Sequence, residues 1–104
     1  LRSQNVDVVL LDALTPKAVM TELYERGCMS VLWECGGTLS AEAIAANAVQ
    51  KIWAFIAPKV IGGKAAPSPI GDLGLEKMTA ARALTRTALT AVGNDVLLTG
   101  YLDT

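Results

Sequence analysis

Apolar residues come along this chain in short blocks, separated by helix-like stripes and glycine-rich breaks. Val6 to Asp12, "VDVVLLD", is a continuous apolar run of strand length, the kind that suits a strand buried on both faces. In the following "LTPKAVMTELYERG", Val19, Met20 and Leu23 form an apolar stripe at helical spacing. Thr15 is a good N-cap, and Pro16 takes the first helical position, where its missing N–H costs nothing. Arg26 falls in the last turn, and Gly27 offers a left-handed stop. Ser30 to Glu34, "SVLWE", predicts a second buried strand. A second helix is expected over roughly Leu39 to Ala48, with Ile44 and several alanines available for packing. "KIWAFIAPKVI" predicts a third strand, from Lys51 to about Pro58.

This order is strand, helix, strand, helix, strand. It predicts an α/β fold in which right-handed crossovers build a mostly parallel sheet with flanking helices. Gly62 to Leu75, "GGKAAPSPIGDLGL", changes character and predicts an irregular loop. Loops of this length are often functional, though the composition suits a plain surface connection equally well. The chain ends on "ALTRTALTAV", a "GND" turn and "VLLTGYL", which predict a terminal antiparallel hairpin around Gly93, Asn94 and Asp95.

Composition narrows the chemistry. A length of 104 residues suits one domain, and a hydrophobic share of 52% excludes a disordered chain. Nine basic and ten acidic residues, with no basic block, argue against nucleic acid as a partner. No apolar run approaches bilayer-spanning length, and "LRSQNVD" does not resemble a secretory signal. The chain is therefore expected to be soluble and intracellular. Its start at Leu1, without methionine, suggests a fragment or a processed chain. Histidine is absent, which removes Ser-His-Asp and Cys-His catalysis and most zinc sites. Cys28 and Cys35 match no metal or redox spacing and are expected to be ordinary, mostly buried thiols.

The stretch "VLWECGGTLSAEA" concentrates the candidate chemistry. Glu34 stands at the carboxyl end of a predicted strand, where ligands sit in doubly wound sheets. Ionising it there needs water or a partner, so a structural salt bridge is the competing reading. Gly36 and Gly37 would let another molecule approach the backbone, and the helix beyond would present unpaired N–H groups. Together these form a phosphate cradle, to which Thr38 and Ser40 add hydroxyls, one of them available as a cap. The motif lacks both the G-x-G-x-x-G fingerprint and the lysine of a P-loop, so a glycine turn needed only for packing stays open. Glu42 has a simpler use, since an acid in the first turns suits the helix dipole.

Taken together, "VLWECGGTLSAEAIAANAVQKIWAFIAPKVIGGKAAPSPIGDLGL" and the closing "LTAVGNDVLLTGYL" resemble the reductase domain of the bifunctional riboflavin-biosynthesis deaminase/reductase. The resemblance covers nearly the whole chain and is sharpest from Val31 to Leu75. It implies the C-terminal half of a dihydrofolate-reductase-like fold, with the N-terminal half and the deaminase domain lacking from residues 1–104. It also implies NADPH-dependent reduction of 5-amino-6-(5-phosphoribosylamino)uracil to the ribitylamino product. By the same resemblance Glu34 contacts substrate, while Gly36, Gly37, Thr38, Leu39, Ser40, Ala41 and Glu42 hold the cofactor. It further implies a homo-oligomer located in the cytoplasm, or in a plastid if the source is a plant. The sequence assigns no particular cation to the cofactor's 2′-phosphate: Lys51, Lys59, Lys64 and Arg82 are candidates, and the competing reading of each is a solvated surface charge. The alternatives are a related reductase of another substrate and a non-catalytic piece that self-associates.

Overall fold

The computed structural model describes residues 2–103. Helix α1 spans Pro16–Glu25 and helix α2 spans Gly37–Ala45. The strands are β1, Lys51–Ile56, β2, Leu84–Val92, and β3, Asp95–Leu102. Short 3-10 turns occupy Arg2–Gln4 and Met78–Ala80. Among the described residues no helix is long and apolar enough to cross a membrane.

Helix α1 forms where its signals lie. Thr15 accepts the Ala18 N–H on its side-chain oxygen at 3.1 Å, and Pro16 is buried at the first position. At its other end the Gly27 N–H donates to the Tyr24 carbonyl and the Cys28 N–H to the Leu23 carbonyl. That pattern is a Schellman closure, which satisfies carbonyls that would otherwise lack donors. Helix α2 ends the same way around Asn47, with Ala48 N–H donating to the Ala43 carbonyl. It therefore starts two residues before the predicted Leu39 and stops short of Ala48. Arg26 binds Glu22 at 2.9 Å and reaches Asp7 at 3.7 Å, which ties the N-terminal segment to α1. The Glu22 hydrogen bond, with the charges of Glu22 and Asp7, raises the Arg26 pKa above its ordinary value.

The mixed α/β class stands, but the sheet is not parallel. Its three strands run in the order β1-β3-β2 with every pairing antiparallel. β3 is central, with Trp53 opposite Thr99 on one side and Ala88 opposite Thr99 on the other. The predicted hairpin is β2-β3, turning at Gly93 with φ 59°. A bulge between Thr85 and Ala88 lifts Arg86, whose guanidinium stacks on Tyr101 at 3.8 Å.

The expected strands over Val6–Asp12 and Ser30–Glu34 carry no ladder. An apolar run specifies a need for burial, whereas a parallel strand also needs a neighbour with matching backbone groups. Among the described residues neither segment has one, and Leu10 and Leu32 remain 86% and 75% exposed. Residues 31–36 still alternate as an extended chain does, with Val31, Trp33 and Cys35 half-buried and Leu32, Glu34 and Gly36 exposed.

Packing is thin. Among the described residues Ala41, Ala43, Ile44 and Leu102 form the buried apolar core, with Pro16 buried on α1. Cys28 is exposed and Cys35 only half-buried, against the expectation that both thiols are mostly buried. The radius of gyration is 16.1 Å, against about 13 Å for a compact domain of this length. An open groove of about 530 Å³ lies between α2 and the sheet, lined by Ile44, Ile52, Ile70, Leu84 and Leu102. The opposite face carries Trp53 and Phe55, both more than half exposed.

Candidate functional site

The segment from Glu34 to Glu42 runs from extended chain into α2. Glu34 is exposed, and among the described residues it forms no ion pair. The salt-bridge reading therefore has no partner here, and the carboxylate is left to water. Gly36 is the N-cap of α2, extended at φ −75° and ψ 174°.

Neither hydroxyl of the turn caps the helix. Ser40 Oγ donates back to the Gly36 carbonyl at 2.9 Å and lies 3.3 Å from Cys35 Sγ. A serine side chain turned to the carbonyl four residues earlier satisfies itself, and the N-cap glycine has no side chain to close the helix start. The Ser40 backbone N–H makes the first helical bond, also to Gly36. The N–H groups of Gly37, Thr38 and Leu39 consequently have no acceptor among the described hydrogen bonds. Free N–H groups at the positive end of a helix attract an anion. Thr38 and Leu39 are exposed there, and Ala41 is buried beneath them.

Two readings of the sequence change. Glu42 is exposed in the second turn of α2, and the first turn holds no acid, so Glu42 does not serve the dipole. The two glycines are not equivalent. A Cβ on Gly36 would meet nothing within 4 Å, which leaves its backbone open to a ligand. A Cβ on Gly37 would lie 2.6 Å from the carbonyl oxygen of Ser68. Gly37 is thus needed for packing against the 62–75 loop, and only Gly36 keeps the open approach expected of both.

The candidate cations lie on other elements than the turn. Lys51 lies over Tyr101 at 5.0 Å and Trp53 at 5.7 Å, on the sheet face opposite the groove. Arg82 donates to the Asp103 carbonyl at 3.1 Å. Lys59 and Lys64 are exposed in irregular chain. The structure also brings in a group that pattern reasoning passed over. Trp33, next to Glu34, is half-buried, and its indole Nε1 is buried without a hydrogen-bond partner. The apolar "VLW" run gave no sign of this, because it marks burial and not hydrogen bonding.

Comparison with known proteins decides the family. The model of the RibD C-terminal domain matches residues 1–98. The chain belongs to the RibD C-terminal domain family. Among curated relatives, the riboflavin biosynthesis protein RibD of Synechocystis is 57% identical over 102 residues, covering 98% of this chain and 28% of the relative. The chloroplastic riboflavin biosynthesis protein PYRR of Arabidopsis thaliana is 50% identical over 102 residues, covering 98% of this chain and 17% of the relative. The maize PYRR is 47% identical over 103 residues, covering 99% of this chain and 16% of the relative. The chain thus spans less than a third of each of these proteins. Its two helices and antiparallel sheet are consistent with part of the RibD C-terminal fold.

Proposed function

We propose that this chain supplies the cofactor-binding half of a riboflavin-pathway reductase domain. In this reading the whole protein reduces 5-amino-6-(5-phosphoribosylamino)uracil to its ribitylamino product with NADPH. The observation that carries it is the bare start of α2, directly after a Glu34 that is exposed and, among the described residues, unpaired, in a chain of the RibD C-terminal family.

The donor set suits a nucleotide phosphate. Unpaired N–H groups at Gly37, Thr38 and Leu39 can each donate to a phosphate oxygen, and the helix dipole adds to the attraction. Gly36 lets the phosphate come close without a Cβ in the way. Donation from the backbone lets Leu39 belong to the site without a polar side chain, whereas Ala41, whose N–H lies inside the helix, would serve it only by packing beneath the turn. Glu42 would contribute through its place in the helix, since its exposed carboxylate would repel an anion. NADPH, when bound, supplies the hydride that reduces the opened ribose at C1′. Glu34 accepts hydrogen bonds from substrate hydroxyl or amino groups and so orients the carbon to be reduced.

The exposed Trp53 and Phe55 face supports the homo-oligomer as a second element of this reading, since apolar patches of this kind mark interaction surfaces. The intact protein carrying this sequence should oxidise NADPH only when the phosphoribosylaminopyrimidine is added. NADPH oxidation with a different sugar-phosphate but not with this one would replace the substrate assignment. No turnover with any such compound would remove the enzyme reading.

A further inference from the structure

The loop over residues 62–75 meets the start of α2 where two backbones touch with no side chain between them. The Gly71 N–H donates to the Gly37 carbonyl at 2.9 Å. A Cβ on Gly71 would lie 3.1 Å from the Gly37 oxygen and 3.6 Å from the Thr38 Cα. From the other side, a Cβ on Gly37 would strike the Ser68 carbonyl oxygen at 2.6 Å and crowd the Gly71 nitrogen at 3.3 Å. The contact therefore demands glycine at position 37 and is tight against any side chain at position 71.

The loop arrives at this contact already shaped. Ser68 Oγ donates to the Ile70 carbonyl at 2.7 Å, and the Asp72 carboxylate accepts the Gly74 N–H at 2.7 Å. Pro67 and Pro69 fix their own φ on either side of Ser68. Residues 61–69 are exposed, while Ile70 and Gly71 are half-buried. The loop is thus anchored on the helix start, and residues 61–69 gain little burial of their own.

We propose that Ser68–Gly71 is a positioning clamp for the nucleotide turn. Docked on Gly37, it fixes the direction of the Gly37, Thr38 and Leu39 N–H groups, and so sets the affinity for the phosphate they receive. This rests on the nucleotide site proposed above. The physical cause is preorganisation: the first turn of a helix lacks half its hydrogen bonds, and ordering it before binding removes that cost from the binding step. Gly71 acts through Gly37 and is a positioning residue.

The test is Gly71→Ala in the intact protein carrying this sequence, read in two ways. Without nucleotide, amide exchange at Ser40 and at residue 71 should speed up. With NADPH, KM should rise about fivefold, the scale of a weakened charge-assisted hydrogen bond, while kcat at saturation stays within about twofold. Ser68→Ala keeps the backbone contact possible and should move both readouts the same way by a smaller factor. It serves if Gly71→Ala does not fold. Faster exchange with an unchanged KM would overturn the clamp and leave the loop merely structural. Unchanged exchange would overturn it as well. A wild-type protein that fails to bind NADPH would instead overturn the nucleotide reading, and the clamp's role with it. Failure of the variants alone leaves that reading intact.

Discussion

The Ser40 hydroxyl is turned back onto the carbonyl of Gly36 at 2.9 Å, and Gly36, the N-cap of α2, has no side chain with which to cap the helix. The bond is a local one to a carbonyl that already accepts the Ser40 N–H at 3.0 Å. Ser40→Ala should therefore change stability by less than about 0.5 kcal/mol. If backbone donors hold the phosphate, it should also change NADPH affinity by less than about threefold. Denaturant unfolding and nucleotide titration of the same variant measure both. A large loss of affinity would give the hydroxyl a direct role.

Glu34 is exposed and unpaired among the described residues, so Glu34→Gln removes charge without breaking a contact. Stability should move by no more than about 0.5 kcal/mol. The KM for the pyrimidine substrate should rise, and NADPH affinity should hold. Steady-state kinetics with each substrate varied in turn separates the two. A fall in NADPH affinity with substrate binding intact would assign Glu34 to the cofactor.

How much of this was legible in the sequence depends on how local each cause is. Thr15, Pro16 and Gly27 act on neighbours within one helical turn, so α1 could be bounded closely from their identities. The hairpin was equally readable, because Gly93 needs only the two strands beside it. The glycine turn before α2 was found for the same reason. What failed was non-local. "VDVVLLD" and "SVLWE" announce burial, but whether they join a ladder depends on residues far along the chain. "KIWAFI" was correctly a strand, yet its partner is β3, with Lys51 opposite Tyr101, and the pairing is antiparallel. Gly37 is of the same non-local kind, since its missing Cβ makes room for Ser68, 31 positions on, which pattern near the turn does not reveal.

Ile44 joins α2 to the groove and is 5% exposed in a core of few buried residues. Ile44→Ala should destabilise the protein by about 2–4 kcal/mol, through lost apolar contact and the cavity left behind. The shift in denaturant midpoint at constant slope measures it. A loss below about 1 kcal/mol would mean that α2 collapses onto the sheet and closes the gap.

Gly36 separates ligand approach from folding better than any other position. A Cβ there meets nothing within 4 Å, and its φ of −75° and ψ of 174° suit any residue. Gly36→Val should cost no more than about 1 kcal/mol of stability, the worth of exchanging a favourable N-cap residue for a poor one.

The measurement to make is therefore a titration of the intact protein and its Gly36→Val variant with NADPH, followed by tryptophan fluorescence. Trp33 stands next to Glu34 and is placed to report on the turn. A nucleotide cradled by the start of α2 requires saturable quenching in the wild type and at least about tenfold weaker binding in the variant. Equal affinity in the two proteins, with both folded, would contradict it and move the nucleotide away from this turn.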